Sequence, residues 1–178
     1  MWALPKFTPR DRLRRSARRF SVTRIGMRGF CILTCSMPFT PDTRLRWAWK
    51  VDRLPSQERE DQFHTHDYLS LAVEFDNGQD LSYFWSAVLP PETGFRCPIP
   101  TWQGRETHMV VRSGRDGLGR WQQEERPLYT NYQRCVGPPP ARIVRVWLIA
   151  NRLFRRQEGQ CEYGAIELQA GETRVTVN

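Results

Sequence analysis

The clearest pattern in this chain is an alternation of apolar and polar residues. In Arg44–Val51 the residues Leu45, Trp47, Trp49 and Val51 fall on one side, and Arg46, Ala48 and Lys50 on the other. That period of two is the mark of a half-buried strand. Tyr68–Phe75 repeats it, with Leu69, Leu71, Val73 and Phe75 against Tyr68, Ser70, Ala72 and Glu74. Asp76-Asn77-Gly78-Gln79-Asp80 then sets Asn-Gly at the centre of a turn before the extended run LSYFWSAV, which predicts a hairpin. The stretch Leu89–Gly104 carries four prolines and two glycines and reads as a long loop.

Further strands are expected at Glu106–Arg112 and Gly119–Gln123, with the glycines of Ser113–Gly119 as a hairpin turn between them. Leu128–Arg134 reads as one or two helical turns, stopped by Gly137-Pro138-Pro139-Pro140. Arg142–Ala150 is almost continuously apolar, as a central strand covered on both faces would be. Glu162–Leu168 and Thr173–Val177 close the pattern. Roughly eight strands with little helical periodicity predict a mainly β fold, an antiparallel β-sandwich or jelly roll.

The charge distribution adds a boundary. The chain has 178 residues and a formal net charge of +8. Nine basic residues against the single acid Asp11 lie before Asp42, and the remainder balances at 18 and 18. The sequence therefore reads as a basic N-terminal extension over residues 1–41 and a neutral sandwich domain over 42–178. A neutral domain argues against nucleic acid as the partner, since a basic stripe belongs on the folded part of such proteins. The Arg-rich extension, with Arg18-Arg19 before Phe20, reads as a solvated arm on a cytoplasmic protein or as a misplaced start; its resemblance to an export signal, which would place the protein in the periplasm, is the alternative. No apolar run reaches the ~18 residues of a membrane-spanning helix. The cysteines at 31, 35, 97, 135 and 161 form no recognisable framework and read as small hydrophobes.

An ordered set of segments carries a resemblance: WAWKVDRL (Trp47–Leu54), LAVEFD (Leu71–Asp76), LSYFWS (Leu81–Ser86), VVRSG (Val110–Gly114), LGRWQQEER (Leu118–Arg126), Tyr132, and EYGAIEL (Glu162–Leu168). In order and spacing it resembles the bacterial family known as domain of unknown function 3047, from about Arg44 to Leu168. The resemblance implies a jelly-roll-like sandwich akin to galactose-binding and other carbohydrate-associated domains. It implies no reaction. Acids of the family pattern are replaced here at His66-Asp67, Ala150-Asn151-Arg152 and Ala165, so a shared acidic site would be altered in this chain.

Candidate chemistry is sparse. His64 and His66 project to one side of an extended segment, and His108 would be the third ligand of a metal clamp; no His-Glu-x-x-His pattern supports it, so no metal or other cofactor is assigned. For catalysis on a polysaccharide the candidates are His66 and Asp67 with Tyr83 as proton donor. Nucleophile-elbow and phosphate-loop spacings are missing. For ligand binding the candidates are Trp102, Trp85 and Arg105, a flat aromatic face with a neighbouring cation being a common way to hold a sugar or small polar ligand. Trp47, Trp49, Trp147 and Trp121 are expected in the core. The expectation is a non-catalytic module that binds a glycan or another ligand; its rivals are a polysaccharide hydrolase or lyase, and a structural protein that docks through its basic arm.

Overall fold

The computed structural model describes residues 20–22, 29–62, 68–151 and 159–177. In chain order the elements are β1 (Phe20–Val22), β2 (Gly29–Pro38), β3 (Arg44–Arg53), β4 (Tyr68–Phe75), β5 (Asp80–Ser86), β6 (Gly94–Arg96), α1 (Pro100–Gln103), β7 (Glu106–Ser113), β8 (Gln122–Pro127), α2 (Leu128–Cys135), β9 (Arg142–Asn151), β10 (Gln160–Ala170) and β11 (Thr173–Val177). The protein is mainly β and forms two sheets. The first runs β1-β10-β3-β8 with β11 also paired to β10, and the second runs β2-β9-β4-β5-β7-β6.

The period-two segments became strands because each has a face to bury. Leu45, Trp47, Trp49 and Val51 of β3 point inward, as do Leu69, Leu71, Val73 and Phe75 of β4 and Leu81, Tyr83 and Trp85 of β5. The two inner faces meet directly. Trp47 lies 5.6 Å from Tyr83 and Trp49 lies 5.7 Å from Trp85, centroid to centroid. The Tyr163 hydroxyl of β10 donates to the Ser70 carbonyl of β4 at 3.0 Å. A large aromatic side chain buries roughly 150–250 Å², about 4–6 kcal/mol of gross transfer free energy at ~25 cal/mol per Å². Exposed ion pairs contribute about 0–1 kcal/mol each, so the aromatic layer between the sheets outweighs them.

One end of the core is closed by α2. Its buried residues Leu128, Asn131 and Tyr132 have the i, i+3, i+4 spacing of one helix face. The Tyr132 ring meets Phe75 at 4.5 Å and Phe39 at 5.6 Å. The Asn-Gly hairpin joins β4 to β5, with Gly78 at φ +76°, a left-handed conformation that glycine takes without strain. Among the described residues no helix is long and apolar enough to cross a membrane.

Four features depart from the expectations. Residues 29–38, assigned above to the extension, form β2 and pair with β9, so the second sheet starts well before Asp42. The pairing is not wholly antiparallel, because β5 and β7 run parallel. Ser113–Gly119 is not a hairpin turn; β7 and β8 lie in different sheets, and the glycine segment carries the chain between them. The strand expected at Gly119–Gln123 starts only at Gln122, after Gly117 and Gly119 with positive φ.

The parallel pair shapes the site. Parallel neighbours need a crossover connection, and the proline-rich stretch 87–105 supplies it, contributing β6 and α1. It passes over the outer face of the second sheet, where Leu89 and Phe95 join Phe84, Val110 and Ile149 in a small second core.

Candidate functional site

On the outer face of the first sheet, β3, β8 and β10 form a groove of about 660 Å³. Its lining includes Ala48, Gly164 and Ala165, with Trp121, Arg46 and Glu167 around them. Gly164 is close-packed: a Cβ placed there would meet the Ala48 Cβ at 3.1 Å and the Trp121 ring at 3.5 Å. Trp121 is 38 % exposed. Beside it Arg46 is fixed by carboxylates on both neighbouring strands, its Nε 3.0 Å from Glu125 and its Nη1 3.2 Å from Glu167, and its Nη1 also donates to Gln169 at 2.8 Å. The Arg46 guanidinium, by hydrogen bond and charge, holds the Glu125 carboxyl below its usual range.

On the outer face of the second sheet an ionic cluster lies beside the crossover. Glu74, expected on a solvated strand face, is buried and accepts from Arg145 Nη1 at 2.8 Å and Trp147 Nε1 at 2.9 Å. Arg105 donates its Nε to Asp80 at 2.9 Å and approaches Glu74 at 3.5 Å. Burial pushes the Asp80 carboxyl up to about 6; Arg105 pulls it down, while Glu74 and Glu106 add to the rise. Next to these, Cys97, Glu106 and His108 are all buried, with potential ligand atoms within 4.8 Å of one another.

The sequence-derived candidates scatter. Trp102 is 46 % exposed on α1, and the Arg105 guanidinium lies over its ring at 5.6 Å. Trp85 is only 1 % exposed and donates to the Gly114 carbonyl at 2.9 Å, so it is a core residue and not a platform. Tyr83 is equally enclosed, its hydroxyl accepts from Asn131 at 3.0 Å, and burial raises its phenol well above the usual range. It cannot reach a substrate as a proton donor. His108 does not project outward to solvent; it is buried between Phe84 and Phe95, and desolvation lowers its pKa to about 3. His64, His66 and Asp67 lie outside the described residues.

Sequence reasoning missed Trp121, Cys97 and Glu106. Trp121 precedes β8 and so falls outside the alternation that sorts inward from outward residues. Cys97 and Glu106 meet only because the crossover folds back, and no spacing rule encodes that contact.

The family described as a protein of unknown function (DUF3047) matches residues 26–167. No curated protein and no solved structure matches the chain.

Proposed function

We propose that this chain, which belongs to the DUF3047 family, is a non-catalytic sandwich module of jelly-roll type that binds a glycan in the groove on the outer face of the first sheet. The observation that carries the reading is the half-exposed Trp121 ring beside a floor of Ala48, Gly164 and Ala165. Small side chains let the Trp121 indole lie against the sheet, with the groove open beside it. The indole offers its face to the C–H side of a sugar, while Arg46, Gln123, Glu125 and Glu167 can meet its hydroxyls.

Binding is favoured over turnover by the state of the acids. A glycosidase needs one carboxyl with a raised pKa opposite an ionised one. Glu125 and Glu167 are both engaged by Arg46, and the Glu125 carboxyl is held low. Trp102 over Arg105 supports a second, smaller platform on the opposite sheet.

Calorimetric titration with a panel of neutral and acidic oligosaccharides tests the proposal. Stacking on an aromatic ring is worth about 1 kcal/mol or somewhat more. Trp121→Ala is therefore expected to weaken binding roughly tenfold, and Trp102→Ala to leave groove binding unchanged. A folded protein that binds no saccharide in the panel, or that binds one equally well without Trp121, rejects the reading.

A further inference from the structure

The buried cluster beneath the crossover has no part in glycan binding by the groove. Cys97 follows β6, and Glu106 and His108 are two residues apart on β7, hence on the same face of the sheet. The Cys97 amide donates to the Glu106 carbonyl at 2.9 Å, fixing the crossover against β7. The Cys97 thiol is hydrogen-bonded to the Glu106 carboxylate. His108 Nε2 lies 3.8 Å from Glu106 Oε2. Ser82 donates to the other carboxylate oxygen, Oε1, at 3.4 Å, which turns Oε2 towards the histidine. Thiol, imidazole and carboxylate thus converge in a pocket that water barely reaches.

From this geometry we infer that Cys97, Glu106 and His108 bind a zinc ion that ties the crossover to the second sheet. Bond lengths of about 2.3 Å to sulfur and about 2.0–2.1 Å to nitrogen and oxygen give ligand–ligand edges of about 3.3–3.6 Å in a tetrahedron. The observed approaches require contractions of about half an ångström to a little over one, within reach of small side-chain rotations. The donor set suits zinc; calcium and magnesium take oxygen ligands. Three protein ligands leave the fourth corner of the tetrahedron for one further donor.

A second observation points the same way. The outer face packs three buried carboxylates together, those of Glu74, Asp80 and Glu106, and Glu74 and Asp80 share the one Arg105 guanidinium. Asp80, whose Cα is in register with Glu106, keeps its buried Oδ1 without a hydrogen-bond partner among the described residues. A divalent cation bound to a thiolate and a carboxylate is neutral as a unit and relieves this repulsion. Binding Cys97 as the thiolate releases its proton to solvent, so affinity strengthens as pH rises.

Full-length protein stripped with chelator and titrated with Co²⁺ and then Zn²⁺ tests the assignment. Wild type is expected to bind one Co²⁺ per chain with a thiolate-to-cobalt charge-transfer band, displaced by Zn²⁺. Cys97→Ser is expected to lose the band, and the double variant His64→Ala/His66→Ala to keep it. Asp80→Asn, which changes a neighbour and not a ligand, is expected to weaken affinity by about 10–100-fold. X-ray absorption on zinc-loaded wild type needs no variant and is expected to show one sulfur with nitrogen and oxygen neighbours. A shell without sulfur, a band that survives Cys97→Ser, a band lost in the His64/His66 variant, or no band from folded wild type would overturn it.

Discussion

The carboxylate of Glu124 accepts the indole N–H of Trp49 at 3.1 Å, fastening the edge strand β8 to the centre of the core. The same oxygen accepts from Arg112 of β7, in the opposite sheet, and the Arg112 guanidinium lies over the Trp85 ring at 5.7 Å. One carboxylate therefore joins both sheets.

Glu124→Ala strands a buried indole N–H and leaves Arg112 unpaired. Removing one partner of a fully buried pair costs about 3–5 kcal/mol. Arg112 is one-third exposed and water can serve it, so a loss of about 2–3 kcal/mol is expected in urea unfolding. Glu124→Gln, which keeps an acceptor, is expected to lose less.

The sign of Asp80's pH dependence is opposite to that of most acids. Its folded pKa stands at about 6 against 3.8 for the unstructured side chain. The folded state therefore holds the proton up to about pH 6 and the unfolded chain releases it near 3.8. Stability from this group is present below that lower value, falls as pH rises through the window, and levels off above 6. The loss is on the order of 3 kcal/mol. Urea unfolding of chelator-treated protein between pH 4 and 7 measures it, and Asp80→Asn is expected to remove this falling component.

Gly117 sits where the chain crosses between sheets, at φ +89°, and a Cβ there would meet Gln122 Nε2 at 2.9 Å and the Trp85 ring at 3.4 Å. Gly117→Ala combines backbone strain with a contact against a buried indole, and is expected to cost about 1–3 kcal/mol. Gly78→Ala has φ +76° but open space around it, so its expected cost is about 1 kcal/mol, from strain alone. Paired thermal melts separate the two.

Much of the core was legible because the first sheet and the hairpin obey local rules. Leu45, Trp47, Trp49 and Val51 alternate, and Asn77-Gly78 names its own turn. Trp85 was legible too, since it shares the phase of Leu81 and Tyr83; its place near a strand end obscured that. The strand β2 was not recognised because its residues fall within the span assigned to the Arg-rich extension, although Cys35 and Met37 alternate with exposed neighbours. Strand partners lie beyond any period-two pattern, so the parallel β5–β7 pair was hidden. With it went the crossover that brings Cys97 to Glu106 and His108.

Gly164 offers a steric test of the groove. A Cβ there meets the Ala48 Cβ at 3.1 Å, a contact that a shift of a few tenths of an ångström relieves. Gly164→Ala is expected to leave the fold intact and to weaken saccharide binding by raising the floor beneath Trp121. Circular dichroism and titration calorimetry on the same sample read the two effects separately.

The most direct measurement of the central claim is the set of tryptophan indole N–H signals in a ¹H–¹⁵N spectrum, followed as an oligosaccharide is added. The account predicts that the Trp121 signal moves progressively to saturation, while those of the core residues Trp49 and Trp85 stay in place. A Trp121 signal that does not move while Trp102 or any other indole does would contradict it.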